Sequence, residues 1–174
     1  MRMHALSLTA AAAIIVVNLG ATIPAQAQPV EELGSISIPY VLADTPPEDG
    51  VISERAVKEY GPCTLKLDYV HLRKSGKWGT VGFKAHTNCS VPVASIKHSS
   101  DLRYKYYTTW RLALRGVSDS ARNAKTLSQT NVEFTCNGRV DTRFIGVTLG
   151  TIVSQGKTYY ARSYSRVANL PCRV

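Results

Sequence analysis

Three ionisable side chains, Glu133, His86 and Arg143, are of the types that can cleave RNA without a metal ion. A carboxylate and an imidazole can serve as general base and general acid, and a guanidinium can stabilise developing charge. An ordinary ion pair is the alternative, because Glu133 could face Arg143 across a turn at Asn137-Gly138. These residues are catalytic candidates for a small secreted, nuclease-like hydrolase, which is one alternative function.

A second group combines positive charge with aromatic rings on a predicted strand, Arg103–Arg115. Alternation places five side chains on one face: Arg103, Lys105, Tyr107, Arg111 and Arg115. Cations can hold a polyanion by charge, and a tyrosine ring offers a stacking surface. The same alternation would also suit an ordinary half-buried strand whose cations simply face solvent. We interpret the five residues as a candidate polyanion-binding site.

The four cysteines indicate structure rather than chemistry. Cys63, Cys89, Cys136 and Cys172 form no C-x-x-C pair, and an even number of thiols downstream of an export signal is typical of disulfides. His71, His86 and His98 lack metal-site spacing, and the chain has no nucleophile-elbow, zincin, P-loop or dinucleotide motif. The sequence therefore predicts no metal and no cofactor.

The first two cysteines predict a β-hairpin that turns near Gly76. If Cys63 lies opposite Cys89, the residues between them separate into an apolar and a polar face. The cysteine face carries the pairs Leu65–Thr87, Leu67–Ala85 and Tyr69–Phe83. The other face carries Thr64–Asn88, Lys66–His86 and Asp68–Lys84. A slip of one residue would mix the two sets, so this register predicts a Cys63–Cys89 disulfide.

The rest of the chain predicts further strands. Residues 91–96 suggest a short strand, 116–128 a long exposed loop, and the last third a meander with turns at Asn137-Gly138 and Gln155-Gly156. In that meander Cys136 and Cys172 come to the same end, which favours this pair among the three connectivities that four cysteines allow. About seven strands result, so we expect an all-β, disulfide-stapled antiparallel β-sandwich or compact barrel.

Composition divides the chain into three parts. Residues 1–27 resemble a signal peptide with a small-x-small cleavage site, although an uncleaved anchor is the alternative. Residues 28–60 contain four prolines and carry a net charge of −5, and they predict an irregular or disordered arm with one helical turn at Ser53–Tyr60. Residues 61–174 form the predicted basic β domain, with a net charge of +13.

Three stretches of the chain resemble known sequences. They are Val70–Gly76, Ser95–Tyr104 and the pair Gly150–Ile152 with Gly156–Ala161. They are similar to small secreted four-cysteine proteins of high-GC Gram-positive (actinobacterial) bacteria, across about residues 61–172. The resemblance implies bacterial export and one disulfide-bonded domain, and it brings no activity or catalytic residue with it.

Charge and compartment together favour a binding protein. A domain of +13 attracts acidic partners, so we expect a secreted, non-enzymatic protein that engages an anionic polymer, an anionic envelope surface or an acidic protein. A secreted inhibitor or toxin-like antagonist is a further alternative. The acidic arm could fold back and compete with an external polyanion, or it could be a simple linker or propeptide. No membrane segment is expected to remain after signal cleavage.

Overall fold

The computed structural model describes residues 37–49 and 59–174. The strands in chain order are β1 (Ser37–Leu42), β2 (Tyr60–Leu67), β3 (His71–Leu72), β4 (Thr80–Tyr106), β5 (Thr109–Thr135), β6 (Asp141–Ser154), β7 (Lys157–Tyr164) and β8 (Ala168–Pro171). These ranges contain no helix, and hence none that is long and apolar enough to cross a membrane. The all-β prediction is confirmed.

The eight strands belong to one antiparallel sheet that closes on itself. Its neighbours run β4–β2–β1–β7–β6, and β6 pairs again with β4, so these five strands form a complete cycle of hydrogen-bonded pairs. β3 and β5 are added on β4, and β8 is added on β6. One face of each strand in the cycle therefore points to a shared interior, and the other points outward.

Large side chains fill this interior, and glycines on β6 make room for two of the rings. Phe83 and Tyr40 are fully buried. A Cβ atom at Gly146 would lie 2.7 Å from the Phe83 ring, and a Cβ atom at Gly150 would collide with the Tyr40 hydroxyl. Glycine is needed at both positions because the aromatic rings pack directly on the β6 backbone.

Both predicted disulfides are present. Cys63 bonds to Cys89 with a Cα–Cα distance of 4.0 Å, and Cys136 bonds to Cys172 at 5.0 Å. The predicted register holds from Cys63–Cys89 to Leu67–Ala85, and the Asp68 N–H still donates to the Lys84 carbonyl at 2.9 Å. The first cysteine pair thus joins residues that lie directly opposite each other on β2 and β4.

The pairing of Tyr69 with Phe83 on the cysteine face is wrong. Tyr69 is 65% exposed, whereas Val70 is 1% exposed and takes the core position. After this irregularity the register moves by one residue, since β3 pairs His71 with Gly82. The strand bends between Leu67 and His71, and such a bend exchanges the two faces.

The predicted Arg103–Arg115 strand and 116–128 loop are also wrong. The chain reverses at Tyr107-Thr108, so Arg103–Tyr106 ends β4 and residues from Thr109 onward belong to β5. The supposed loop continues β5, which pairs with β4 along most of its length. Residues 91–96, expected as a short separate strand, lie within β4.

Asn137-Gly138 does not join two paired strands, as the meander required. Both β5 and β6 pair with β4, Glu133 lies opposite Gly82, and Arg143 lies opposite Asn169. The expected contact of Glu133 with Arg143 across a hairpin is therefore wrong. The turn at Gln155-Gly156 is confirmed, because Ser154 pairs with Lys157 across it.

Part of the predicted irregular arm is a strand of the sheet. β1 lies between β2 and β7, and it buries Tyr40 completely. Pro39 lies where β1 pairs with β2 alone, before pairing with β7 begins at Val41, and proline is tolerated at such a position. Tyr60, the end of the expected helical turn, begins β2. The predicted signal peptide and residues 28–36 and 50–58 lie outside the described residues.

Candidate functional site

The tip of the β4–β5 hairpin carries most of the predicted polyanion site. Tyr106 pairs with Thr109 across the two-residue turn, and Tyr107 adopts a positive φ of 51° there. Because directly opposed residues share a face, Arg103 and Lys105 lie with Trp110 and Leu112. Arg111 lies on the other face, with Tyr104 and Tyr106. The five candidates therefore do not share one surface.

The cations at the tip are held against aromatic rings. The Lys105 ammonium lies 5.2 Å from the centre of the Trp110 ring and donates a hydrogen bond of 2.6 Å to the Thr108 carbonyl. The Arg111 guanidinium lies 3.9 Å from the centre of the Tyr106 ring. Tyr107 packs edge-on against Tyr106 and is 84% exposed. Both faces of the tip thus combine a positioned cation with exposed aromatic surface.

A groove of about 470 Å³ runs between this tip, the start of β6 and the last residues of the chain. Its charged lining consists of Lys105, Arg143, Arg173 and Asp141. Its aromatic lining consists of Tyr104, Tyr106 and Tyr107. The lining side chains carry three positive charges against one negative charge, so an anion with some apolar surface fits the groove best. Arg173 was missed because nothing in the sequence connects it with residues 70 positions earlier.

Arg103 lies at a second anionic contact, formed with the arm. Its Nη2 atom donates to Oδ2 of Asp49 at 2.6 Å and to Oδ2 of Asp101 at 3.2 Å. The other Asp49 oxygen accepts from Arg162 Nη1 at 3.1 Å and from the Tyr164 hydroxyl at 2.9 Å. The hydrogen bond from Arg103 keeps the pKa of Asp49 below its usual value. An arm carboxylate therefore occupies this part of the basic domain.

The three hydrolase candidates lie apart. Glu133 accepts a hydrogen bond of 2.6 Å from Thr80 and lies 3.7 Å from Arg73, while Arg143 lines the groove. Glu133 and His86 share a face of the β4–β5 ladder but sit four residues apart along it, or roughly 13 Å at the usual strand rise. General acid–base catalysis by these three residues together would need them in hydrogen-bond reach of one substrate.

His86 has two other polar partners that sequence reasoning did not combine. Its Nδ1 atom lies 3.0 Å from Ser128 Oγ, and its Nε2 atom lies 3.3 Å from Asp68 Oδ2. The Asp68 carboxylate thus contacts His86, although its backbone faces Lys84. A serine, a histidine and an aspartate in a hydrogen-bonded chain can in principle activate the serine hydroxyl.

The interior holds a polar chain that the sequence did not predict. The Tyr40 hydroxyl lies 2.7 Å from Thr87 Oγ1, which lies 2.7 Å from His98 Nε2. His98 is fully buried, and burial lowers its pKa to about 4. It is therefore neutral near pH 7 and is part of the core.

Comparison with known proteins finds no similar chain, since no protein-family model, no curated protein and no solved structure matches it. Among the described residues, no three His, Cys, Asp or Glu side chains gather as a metal site would require. The two disulfides indicate an oxidising compartment. The features that point to a function are the hairpin tip, the groove, the arm contact and the Ser128–His86–Asp68 chain.

Proposed function

We propose that the chain is a secreted, non-enzymatic protein that binds a polyanion through the groove at the β4–β5 tip. The observation that carries this proposal is the convergence of Lys105, Arg143 and Arg173 with three tyrosines on one groove. Cations supply affinity for phosphate, sulfate or carboxylate groups, and the tyrosine rings supply apolar contact to the units that carry them.

Two further features support the proposal. The net charge of +13 on residues 61–174 extends attraction beyond the groove and raises the rate at which an acidic polymer is captured. The signal-peptide pattern at residues 1–27 and the two disulfides support export to an oxidising exterior. Anionic polymers of a cell envelope are partners of the required charge.

Heparin chromatography of matched variants tests this function. The full chain should bind at low salt and elute at raised salt, and the triple variant K105Q/R143Q/R173Q should elute earlier. By counterion release, loss of three contacts should reduce the slope of log affinity against log salt by about 2–3. The control K66Q/K74Q/K125Q removes the same charge from three exposed lysines away from the groove.

Two results would contradict the proposal. Passage of the wild-type chain through the column at low salt would exclude polyanion binding. Equal elution of the groove variant and the control would show that net charge alone drives retention.

The Ser128–His86–Asp68 chain favours a second candidate function, hydrolysis of an activated ester. In this function Ser128 would attack the ester carbonyl, His86 would take the serine proton and Asp68 would stabilise the imidazolium. The alcohol or phenol would leave with that proton, and water would then hydrolyse the acyl-serine and regenerate Ser128. Turnover of p-nitrophenyl acetate should be lost in S128A and in H86Q, and retained in E133Q. Turnover equal in wild type and S128A, or none in wild type, would exclude this function.

A further inference from the structure

The contact of Asp49 with Arg103, Arg162 and Tyr164 has the form of a ligand in a binding site. Arg103 belongs to β4, and Arg162 and Tyr164 belong to β7, on either side of β6. Their directly opposed partners on β6 are Ile145, Leu149 and Val147, which share one face of that strand. The three donors therefore project from the same outer face of the sheet. We call them the carboxylate cradle.

The three donors of the cradle all belong to strands of the sheet, and one of them is also held by a second carboxylate of the sheet. The two arginine side chains are only 20–21% exposed. Asp101 also holds Arg103, and Asp101 is fixed in turn because its Oδ1 atom accepts from the Gly116 N–H at 2.8 Å. Hydrogen bonding to both Asp49 and Asp101 outweighs burial and raises the pKa of Arg103. Arg103 is thus held by Asp101 of its own strand as well as by the arm.

The group that occupies the cradle comes from outside the strands. Asp49 lies beyond the end of β1, in a described stretch, 43–49, that forms no strand, and its side chain is 47% exposed. Arg103 also has a buried Nε–H without a hydrogen-bond partner in the structure, which leaves donor capacity for another acceptor. A half-exposed acid from the arm is therefore bound by less exposed bases of the sheet.

The cradle contacts the peptide main chain as well as an acidic side chain. Arg162 Nε donates to the Pro47 carbonyl at 3.0 Å, while its Nη1 atom binds the Asp49 carboxylate two residues further on. One guanidinium therefore contacts a main-chain carbonyl and a side-chain acid of the same segment. This spacing fits an extended acidic peptide better than a free inorganic anion.

We infer that the carboxylate cradle is a binding site for an acidic peptide of a partner protein, and that Asp49 is its intramolecular occupant. A tethered carboxylate competes at an effective concentration in the millimolar range, so an external peptide binds only when it displaces the arm. The inference concerns a different set of residues from the groove and does not require that the groove bind a polyanion.

Fluorescence anisotropy on full-length variants tests the cradle directly. The probe is a fluorescein-labelled, amidated peptide Thr-Pro-Pro-Glu-Asp, which repeats residues 45–49. Removal of the competitor in D49N should tighten probe binding about tenfold relative to wild type. E48Q removes the adjacent, exposed acid and the same charge, and it should bind as wild type does.

Loss of a cradle donor should reverse the gain in peptide affinity that D49N produces. D49N/R162Q should lose about tenfold in affinity relative to D49N, and D49N/Y164F, which removes one hydroxyl and preserves packing, should lose about threefold. The probe with Asn in place of Asp should not bind D49N. Equal binding by D49N, E48Q and wild type, or equal binding of the Asp and Asn probes, would overturn the inference.

The same titration separates the cradle from the groove. K105Q/R143Q/R173Q combined with D49N should bind the peptide with the same affinity as D49N. This should hold whether or not the combined variant elutes earlier from heparin. Peptide affinity that fell with the groove variant and was unchanged in D49N/R162Q and D49N/Y164F would place the peptide in the groove and overturn the cradle.

Discussion

His98 lies in the interior of the strand cycle, opposite Gly150 of β6 and Asp119 of β5. Its Nε2 atom is bonded to Thr87, but its buried Nδ1 atom has no hydrogen-bond partner in the structure. Burial lowers its pKa to about 4, with a small contribution from His86, and Asp119 opposes the shift. The imidazole is thus neutral by environment, and its protonation would place an unpaired charge in the core.

Acid should destabilise the folded protein through this residue. The unfolded chain binds a proton at His98 near pH 6.5, whereas the folded protein does so only near pH 4. Between these values the unfolded state binds more protons, so the free energy of unfolding should fall by about 3 kcal/mol as the pH is lowered. Urea denaturation at several pH values measures this loss. The stability difference between wild type and H98Q should shrink on acidification, and a constant difference would contradict the assignment.

The two-residue turns between β4 and β5 and between β6 and β7 both contain residues with positive φ. The β6–β7 turn has Gln155 at φ 51° and Gly156 at φ 74°, the pattern of a two-residue turn whose central positions are both left-handed. In the Tyr107-Thr108 turn, Tyr107 has a positive φ and Thr108 does not. The left-handed backbone conformation costs free energy for glutamine and tyrosine, whereas glycine and asparagine adopt it more readily.

Substitutions in the β6–β7 turn should therefore have opposite effects. Q155N should raise the free energy of unfolding by about 0.5–1 kcal/mol, because asparagine tolerates the left-handed region. G156A should lower it by about 1 kcal/mol through backbone strain alone, since no atom lies within 4 Å of the added Cβ. Thermal unfolding measures both, and the exposed change T64V on β2 serves as a control. A destabilising Q155N would contradict the turn geometry.

The same elements explain which predictions succeeded. The Cys63–Cys89 register was readable because one face of β2 is buried and the other is exposed, so alternation had a physical cause. The reversal at Tyr107-Thr108 could not be predicted, because this turn contains no Gly, Pro, Asn or Asp and lies within an unbroken alternating pattern. The polar residues 116–128 predict a loop because β5 is an edge strand there, with one face exposed and the other for the most part only partly buried.

The sequence predicts which types of residue form the candidate site, but it does not predict where the fold places them. Lys105 and Tyr107 were identified from charge and aromatic spacing, and both line the groove. The two-residue turn reverses the alternation, so Arg111 moved to the other face. Arg173 follows β8, and the cradle residue Arg162 lies on β7. Both are brought near β4 by the closing pair β4–β6, which no local pattern specifies.

The described residues form a closed cycle of strands with two disulfides in different parts of the fold. The Cys63–Cys89 bond lies within the β2–β4 ladder, where five residue pairs already hold the strands. The Cys136–Cys172 bond joins the end of β5 to the segment after β8. β8 itself pairs with β6 over only four residues. The second bond therefore protects the less firmly held part of the fold.

Removal of either disulfide should lower stability by a similar amount but with different local effects. The closed loops span 26 and 36 residues, so C63S/C89S and C136S/C172S should each cost about 3–4 kcal/mol in the chain-entropy model. Hydrogen exchange should show loss of protection across β8 only in C136S/C172S. Unchanged unfolding midpoints in both variants, or equal protection of β8, would contradict this account.

Polyanion binding by the β4–β5 tip and the adjoining start of β6 can be mapped residue by residue. An amide nitrogen–proton NMR spectrum of the full chain can be titrated with a heparin hexasaccharide at moderate salt. The account predicts shift changes concentrated at residues 104–112, 140–143 and 173, around the groove. Changes spread evenly over all exposed lysines and arginines, or centred on the β2 face around Lys66, would contradict it.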